Sequence, residues 1–183
     1  VDYVSMHTYP FHDTFYNPQF WVTRTSSYKE KDDLIKAAMK RSADYSIKQY
    51  MLVKNYIADI SPEKEIHIGE TGWASISTDQ YGAQGTRAAD EYKQALYYKY
   101  ISESCNQLGI KCFYFSAFDE PWKDFKNPQG SENHFGLFTV EGKAKYLLLS
   151  FENNLASGLG SLLVGAIAAV RSVAVRCRRL KLV

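Results

Sequence analysis

Apolar and polar positions alternate at the start of the chain and then give way to longer periods. Residues 1–9 read as a strand, with Val4 and Met6 on one face and Tyr3, Ser5, His7 and Tyr9 on the other. Pro10 ends it, because proline has no N–H for a ladder and restricts its predecessor. An aromatic, turn-rich loop is predicted over residues 11–28, holding Asn17-Pro18 and Trp21. Loops this long inside compact domains are usually functional. Residues 31–60 read as helix with a break near Ser42; Ile47, Tyr50, Met51, Ile57 and Ala58 mark its buried face. Ser61-Pro62 stops it, and residues 65–69 form the next strand, followed by a polar loop with Gly82 and Gly85. Thr86 is the expected cap of a helix that places Asp90 and Glu91 at its positive end, turns Tyr92, Ala95 and Leu96 inward, and stops at Gly109. Residues 110–118 form a nearly unbroken apolar run, the pattern of a strand buried on both faces. A loop over residues 123–133 leads to Phe135-Gly136-Leu137-Phe138, and a short helix is expected over residues 143–151. Strands separated by long helical crossovers imply a parallel α/β architecture.

Composition then limits the picture. A complete (β/α)₈ barrel usually takes about 250 residues, and this chain has 183. Its first residue, Val1, is not Met and already reads as strand, which suggests a processed or truncated start. The net charge of +2 hides an uneven distribution: Arg171, Arg176, Arg178, Arg179 and Lys181 crowd the end, and no acid follows Glu152. Residues 1–152 are therefore mildly acidic, which gives no footprint for nucleic acid. Residues 155–170 are uncharged, marginal against the roughly 20 apolar residues that span a bilayer. The expected division is a domain over 1–152 and an apolar, then basic tail over 153–183. That tail is membrane-associated through 155–175 or foreign to the fold, and basic residues behind it would favour a cytosolic C-terminus. Cys105, Cys112 and Cys177 are odd in number and poorly spaced, so no disulfide framework or metal site is expected. Cys112 reads as a small buried hydrophobe.

Two acid-bearing segments carry the candidate chemistry. Gly69-Glu70-Thr71-Gly72-Trp73 closes the second strand, and Phe118-Asp119-Glu120-Pro121-Trp122 closes the third. Barrel enzymes place reacting groups at such strand ends, and a carboxylate beside flat aromatic faces suits carbohydrate chemistry. These segments, with Val1-Asp2-Tyr3-Val4-Ser5-Met6-His7-Thr8-Tyr9-Pro10 and Glu132-Asn133-His134-Phe135-Gly136-Leu137-Phe138, resemble family 17 glycoside hydrolases, β-1,3-glucanases and related enzymes, and most of all their bacterial, laminarin-degrading branch. The four motifs occur in the family's order over residues 1–150, and residues 153–183 have no place in it.

The resemblance implies strands six to eight of a (β/α)₈ barrel, incomplete here. It implies Glu70 as the nucleophile, with Glu120, Lys123 and Glu132 supporting it and the sugar. Tyr9 and Trp73 match cleft aromatics, and His7 and Trp122 are further candidates for binding substrate. The family's acid/base, an Asn-Glu pair after strand four, has no counterpart, and Ala74 stands where the family commonly has proline. The implied activity is retaining hydrolysis of β-1,3-glucan, monomeric when full length, extracellular, cell-surface or periplasmic, and without metal or organic cofactor. The isolated chain is expected to be inactive and poorly soluble, its sheet edges open. Other readings stay beside it: a β-glucan transglycosylase, or a glucan-binding pseudo-enzyme. Structural roles compete as well. Glu120 reads equally as an ion-pair partner of Lys123, His7 as a positioning residue, His134 as a loop cap, and the tryptophans as core.

Overall fold

A computed structural model describes residues 2–16, 31–78 and 87–146. The order is β1 (Tyr3–His7), α1 (Pro10–Tyr16), α2 (Lys31–Ile60), β2 (Glu65–Thr71), α3 (Glu91–Leu108) and β3 (Cys112–Tyr114), with a 3₁₀ turn at Ser131–Asn133. The strands form one parallel sheet in the order β1-β2-β3. Parallel neighbours in chain order, each reached through a helical crossover, are the arrangement the sequence predicted.

One face of the sheet meets α2 and α3. Ile66, Ile68, Ala38, Met39, Tyr50, Leu96, Tyr97 and Ile101 form the centre of that core. Val4 and Met6 pack against it, as their alternation required. The other face stays open: Tyr3 stacks on His67 at 4.7 Å, and His67 meets Phe113 at 6.4 Å, one aromatic row across three strands. Beneath the C-terminal strand ends, Thr8 bonds Ser46 at 3.2 Å and Ser46 bonds Tyr97 at 2.9 Å. Tyr97 also bonds Thr71, so hydroxyls link β1, α2, α3 and β2 in the buried layer.

Helix α3 follows its sequence signals closely. Its start is a correction: the helix begins at Glu91, and Asp90, not Thr86, is the cap, its side chain accepting from the Lys93 amide. Gly109 ends the helix at φ 65°, a left-handed conformation that favours glycine.

Several expectations need correction. Residues 10–16 are helix α1 and not loop: Pro10 starts it, where a missing N–H costs nothing. The rest of the predicted loop, with Trp21, lies outside the described residues. Helix α2 does not break at Ser42, whose hydroxyl donates to the Ala38 carbonyl one turn back at 2.8 Å. Ala58 is exposed, and so are Leu52, Tyr56 and Ile60, while Ile57 packs against the core. Strand β2 runs two residues further than predicted, to Thr71.

Strand β3 is only three residues long, and Phe113 is 58% exposed on the open face. Burial on both faces required a second covering layer that the described residues do not supply. Cys105 is the buried thiol and Cys112 only half-buried. Lys143 to Lys145 are not helical. The remainder of the predicted last helix and the whole tail lie outside the described residues. Among the described residues no helix is long and apolar enough to cross a membrane.

Candidate active site

Glu70 occupies the second-last position of β2, and the strand's alternation alone would turn it toward the helices with Ile66 and Ile68. An irregularity in the β1–β2 register intervenes between Met6 and His7, so that His7 pairs with Glu70 and not with Gly69. The same strand's register with β3 shifts between Ile68 and Thr71. One extra residue moves every following side chain to the other face. Thr71 accordingly takes the core position, fully buried, while the Glu70 carboxylate stays 40% exposed at the sheet's C-terminal end.

Two groups from β1 and its exit hold that carboxylate. The Tyr9 hydroxyl donates to Glu70 Oε2 at 3.0 Å, and His7 Nδ1 lies 3.4 Å from the same oxygen. Burial, followed by the hydrogen bond and charge of Glu70, pushes the Tyr9 phenol well above its usual range, so it remains a donor. A cavity of about 130 Å³ opens beside this pair, lined by Tyr9, His12, Glu70, Phe115, Lys123, Glu132 and Phe135. It has room for about four waters.

The loop after β3 builds the other wall. Lys123 Nζ sits 3.9 Å above the Phe115 ring and 3.2 Å from Glu120 Oε2, an ion pair whose angles do not make a hydrogen bond. Glu120 thus stands behind Lys123 and does not line the cavity. It lies six residues beyond the end of β3, so its segment does not close a strand. The Glu120 amide donates to the Asn133 carbonyl at 3.1 Å, which ties the loop to the 3₁₀ turn carrying Glu132.

A buried ion pair anchors this wall to β2. Lys145 Nζ donates to Asp119 Oδ1 at 2.7 Å and to Ser75 Oγ at 2.7 Å, and Asp119 Oδ1 also accepts from the Gly136 amide at 3.0 Å. Burial pulls the Lys145 ammonium below its ordinary range and Asp119 opposes that pull. The Gln94 amide, 1% exposed, adds bonds to the carbonyls of Trp73, Phe135 and Gly136 at 2.8, 3.2 and 3.1 Å.

Of the residues singled out from sequence, Glu70, Tyr9, Lys123 and Glu132 meet at one cavity, with His7 and Glu120 one contact behind it. Trp122 is 64% exposed on the loop surface and does not line it. Trp73 is a correction: it is fully buried, with Nε1 donating to the Ala88 carbonyl at 3.0 Å and its ring 5.2 Å from both Phe11 and Tyr97. Phe11 from α1 covers it, so it offers no face to a sugar. His134 does cap its loop, through Nε2 to the Pro128 carbonyl at 2.8 Å. His12, Phe115 and Phe135 were missed. The i, i+3 spacing of Tyr9 and His12 would have placed both rings on one side, had α1 been recognised.

The family profile of Glycosyl hydrolases family 17 matches residues 53–149, more than half of the chain. The chain belongs to this family. An endo-laminarinase from Formosa Hel1_33_131 is 52% identical, with a TM-score of 0.76 over 84% of this chain and 39% of its own. A Rhizomucor miehei β-1,3-glucanosyltransferase, solved as an active-site mutant with laminaritriose, has a TM-score of 0.55 at 21% identity, a likeness of fold. It covers 80% of this chain and 42% of its own. A glucan 1,3-beta-glucosidase of Arthroderma benhamiae is 37% identical over 102 residues, 49% of this chain and 30% of its own length. The family 17 chain described here therefore spans well under half the length of these relatives.

Proposed function

We propose that this chain contributes about strands six to eight of a (β/α)₈ barrel in a longer, secreted family 17 enzyme that acts on β-1,3-glucan such as laminarin. Glu70 is the nucleophile. One observation carries the reading: the register irregularity that lifts Glu70 out of the core into a polar cavity, where Tyr9 and His7 hold a single oxygen of its carboxylate. The other oxygen is the one presented for attack.

Retaining glycosidases use two carboxyl groups about 5–5.5 Å apart, one attacking the anomeric carbon and the other protonating the leaving oxygen. The second belongs to a part of the barrel outside this chain. Tyr9, Lys123 and Glu132 orient the sugar and hold the charge of Glu70 in place, and Glu120 steadies Lys123. The glucosyl-enzyme is then released to water or to a second sugar, giving hydrolysis or transglycosylation. Glucan binding without catalysis has less support, since the Trp73 platform it relied on is buried.

Laminarin digestion by the product of the complete open reading frame tests this. Glu70→Gln is expected to abolish turnover of laminarin, and the 183-residue chain alone to release little or no sugar. The product distribution separates hydrolysis from transfer. Full activity in Glu70→Gln would overturn the nucleophile, and prompt sugar release by the isolated chain, lost in Glu70→Gln, would overturn the missing acid.

A further inference from the structure

Helix α1 brings a ring to the cavity that the sequence did not reveal. Its first turn is closed by the His12 amide donating to the Tyr9 carbonyl at 3.1 Å, which puts the two rings 5.7 Å apart on one side. Phe11 is fully buried 5.2 Å from Trp73, and its ring also packs 5.6 Å from His12 and 5.8 Å from Phe135. The His12 imidazole is thus carried to the cavity wall by a helix that is itself pinned in the core, and its ring centre lies 6.0 Å from that of Phe135. It is a rigid polar group at the cavity with no role in the mechanism above.

Its counterpart is Glu132, on the 3₁₀ turn. His12 Nε2 stands 3.8 Å from Glu132 Oε1, and the two side chains are 39% and 50% exposed. That separation is too long for a hydrogen bond, whose range is about 2.7–3.2 Å. Among the described residues neither side chain hydrogen-bonds a third group. A donor and an acceptor therefore face each other with a gap between them, both lining the same cavity. A hydroxyl oxygen fits that gap at about 2.8 Å from each, accepting from Nε2–H and donating to the carboxylate. An ether oxygen or an apolar group cannot do both.

We infer that His12 and Glu132 form a clamp for a single sugar hydroxyl, so that His12 is a substrate-binding residue of this site. The inference rests on the cavity being the sugar site proposed above. Because the clamp needs one oxygen that donates and accepts, it reads free hydroxyls and excludes glycosidic oxygens. It therefore fixes how the ring is turned relative to Glu70.

Titration of the complete enzyme with laminaritriose, in a Glu70→Gln background so that the sugar is not turned over, followed by calorimetry, tests it. His12→Ala is expected to weaken binding about tenfold, the effect of one hydrogen bond. His12→Gln, whose amide still donates, recovers most of the loss. The double variant His12→Ala with Glu132→Gln binds no more weakly than the worse single variant, since both groups serve one hydroxyl. Unchanged melting temperatures keep the comparison to binding, and His12→Gln serves if His12→Ala does not fold. Wild-type affinity in His12→Ala, or fully additive losses, would overturn the clamp alone. No laminaritriose binding by the complete enzyme with His12 and Glu132 intact would overturn the sugar site and the clamp with it.

Discussion

Trp73 gives the sharpest prediction, because the motif around it points to the cleft and the structure puts it in the core. Trp73→Ala removes a fully buried indole enclosed by Phe11 and Tyr97. Truncating a buried aromatic costs about 3–5 kcal/mol in lost transfer energy and cavity. The Nε1 bond to Ala88 is lost too, which leaves a buried carbonyl unpaired and adds roughly 1 kcal/mol. A loss of about 4 kcal/mol or more is large against the 5–15 kcal/mol that holds a typical domain together. Trp73→Phe keeps a ring in the site and forfeits the N–H, so it is expected to cost about 1–2 kcal/mol. Urea unfolding followed by circular dichroism reads both, with the slope unchanged and the midpoints ordered wild type, Phe, Ala. Folded Trp73→Phe should bind laminaritriose as the wild type does. An unchanged midpoint in Trp73→Ala together with lost binding would refute the reasoning and return Trp73 to the cleft.

Lys145→Met leaves Asp119 buried without its cation and is expected to cost about 3–5 kcal/mol; pairing it with Asp119→Asn should recover part of that in a double-mutant cycle, and strict additivity would contradict the buried pair. Gly136→Ala places a Cβ 2.1 Å from the Asp119 nitrogen and 2.2 Å from the Phe118 carbonyl carbon, backbone that cannot step aside, so its melting temperature should fall clearly; a neutral result would mean that this loop yields. Burial, reinforced for Tyr9 by Glu70, raises the phenols of Tyr9, Tyr97 and Tyr114 above the ordinary value of 10.0. A folded-state pKa raised above the unfolded one contributes stability that is present below that value and lost above it. Melting temperatures should therefore decline as the pH rises beyond about 10, and a flat profile there would argue against buried phenols.

The parts of the fold legible in the sequence were those set by local chemistry. Gly109 and the period of α3 were legible because a C-terminal cap and amphipathic spacing act within one element, although Asp90 and not Thr86 caps its start. The parallel order of three strands followed from crossover length. What escaped notice depended on neighbours. Ser42 read as a breaker, yet its hydroxyl finds a partner inside its own helix. Residues 110–118 read as one buried strand from their apolar run, though the regular strand covers three of them, Phe118 makes an isolated bridge to Phe138, and Phe113 lies on an open face.

The site divided along the same line. The Glu70 motif was visible as residues, but the register shift that aims the carboxylate belongs to the pairing of two strands and leaves no mark in either alone. Trp73 shows the converse. Its place in the motif suggested a sugar platform, and only the packing of Phe11 from α1 reveals it as core. His12 escapes the sequence for the same reason, because the Pro10 that starts α1 reads equally as the end of a strand and the opening of a loop.

Covalent trapping tests the central claim, that Glu70 is poised as nucleophile, most directly. A 2,4-dinitrophenyl 2-deoxy-2-fluoro-β-laminaribioside carries a leaving group that departs without protonation, so no acid/base residue is needed. Attack by a Glu70 carboxylate oxygen breaks the bond from the anomeric carbon to the phenolate oxygen and leaves the sugar esterified to the protein. The account predicts one added fluorosugar in the intact mass, mapped to Glu70 and absent from Glu70→Gln. A label on Glu120 or Glu132 that persists in Glu70→Gln would contradict it.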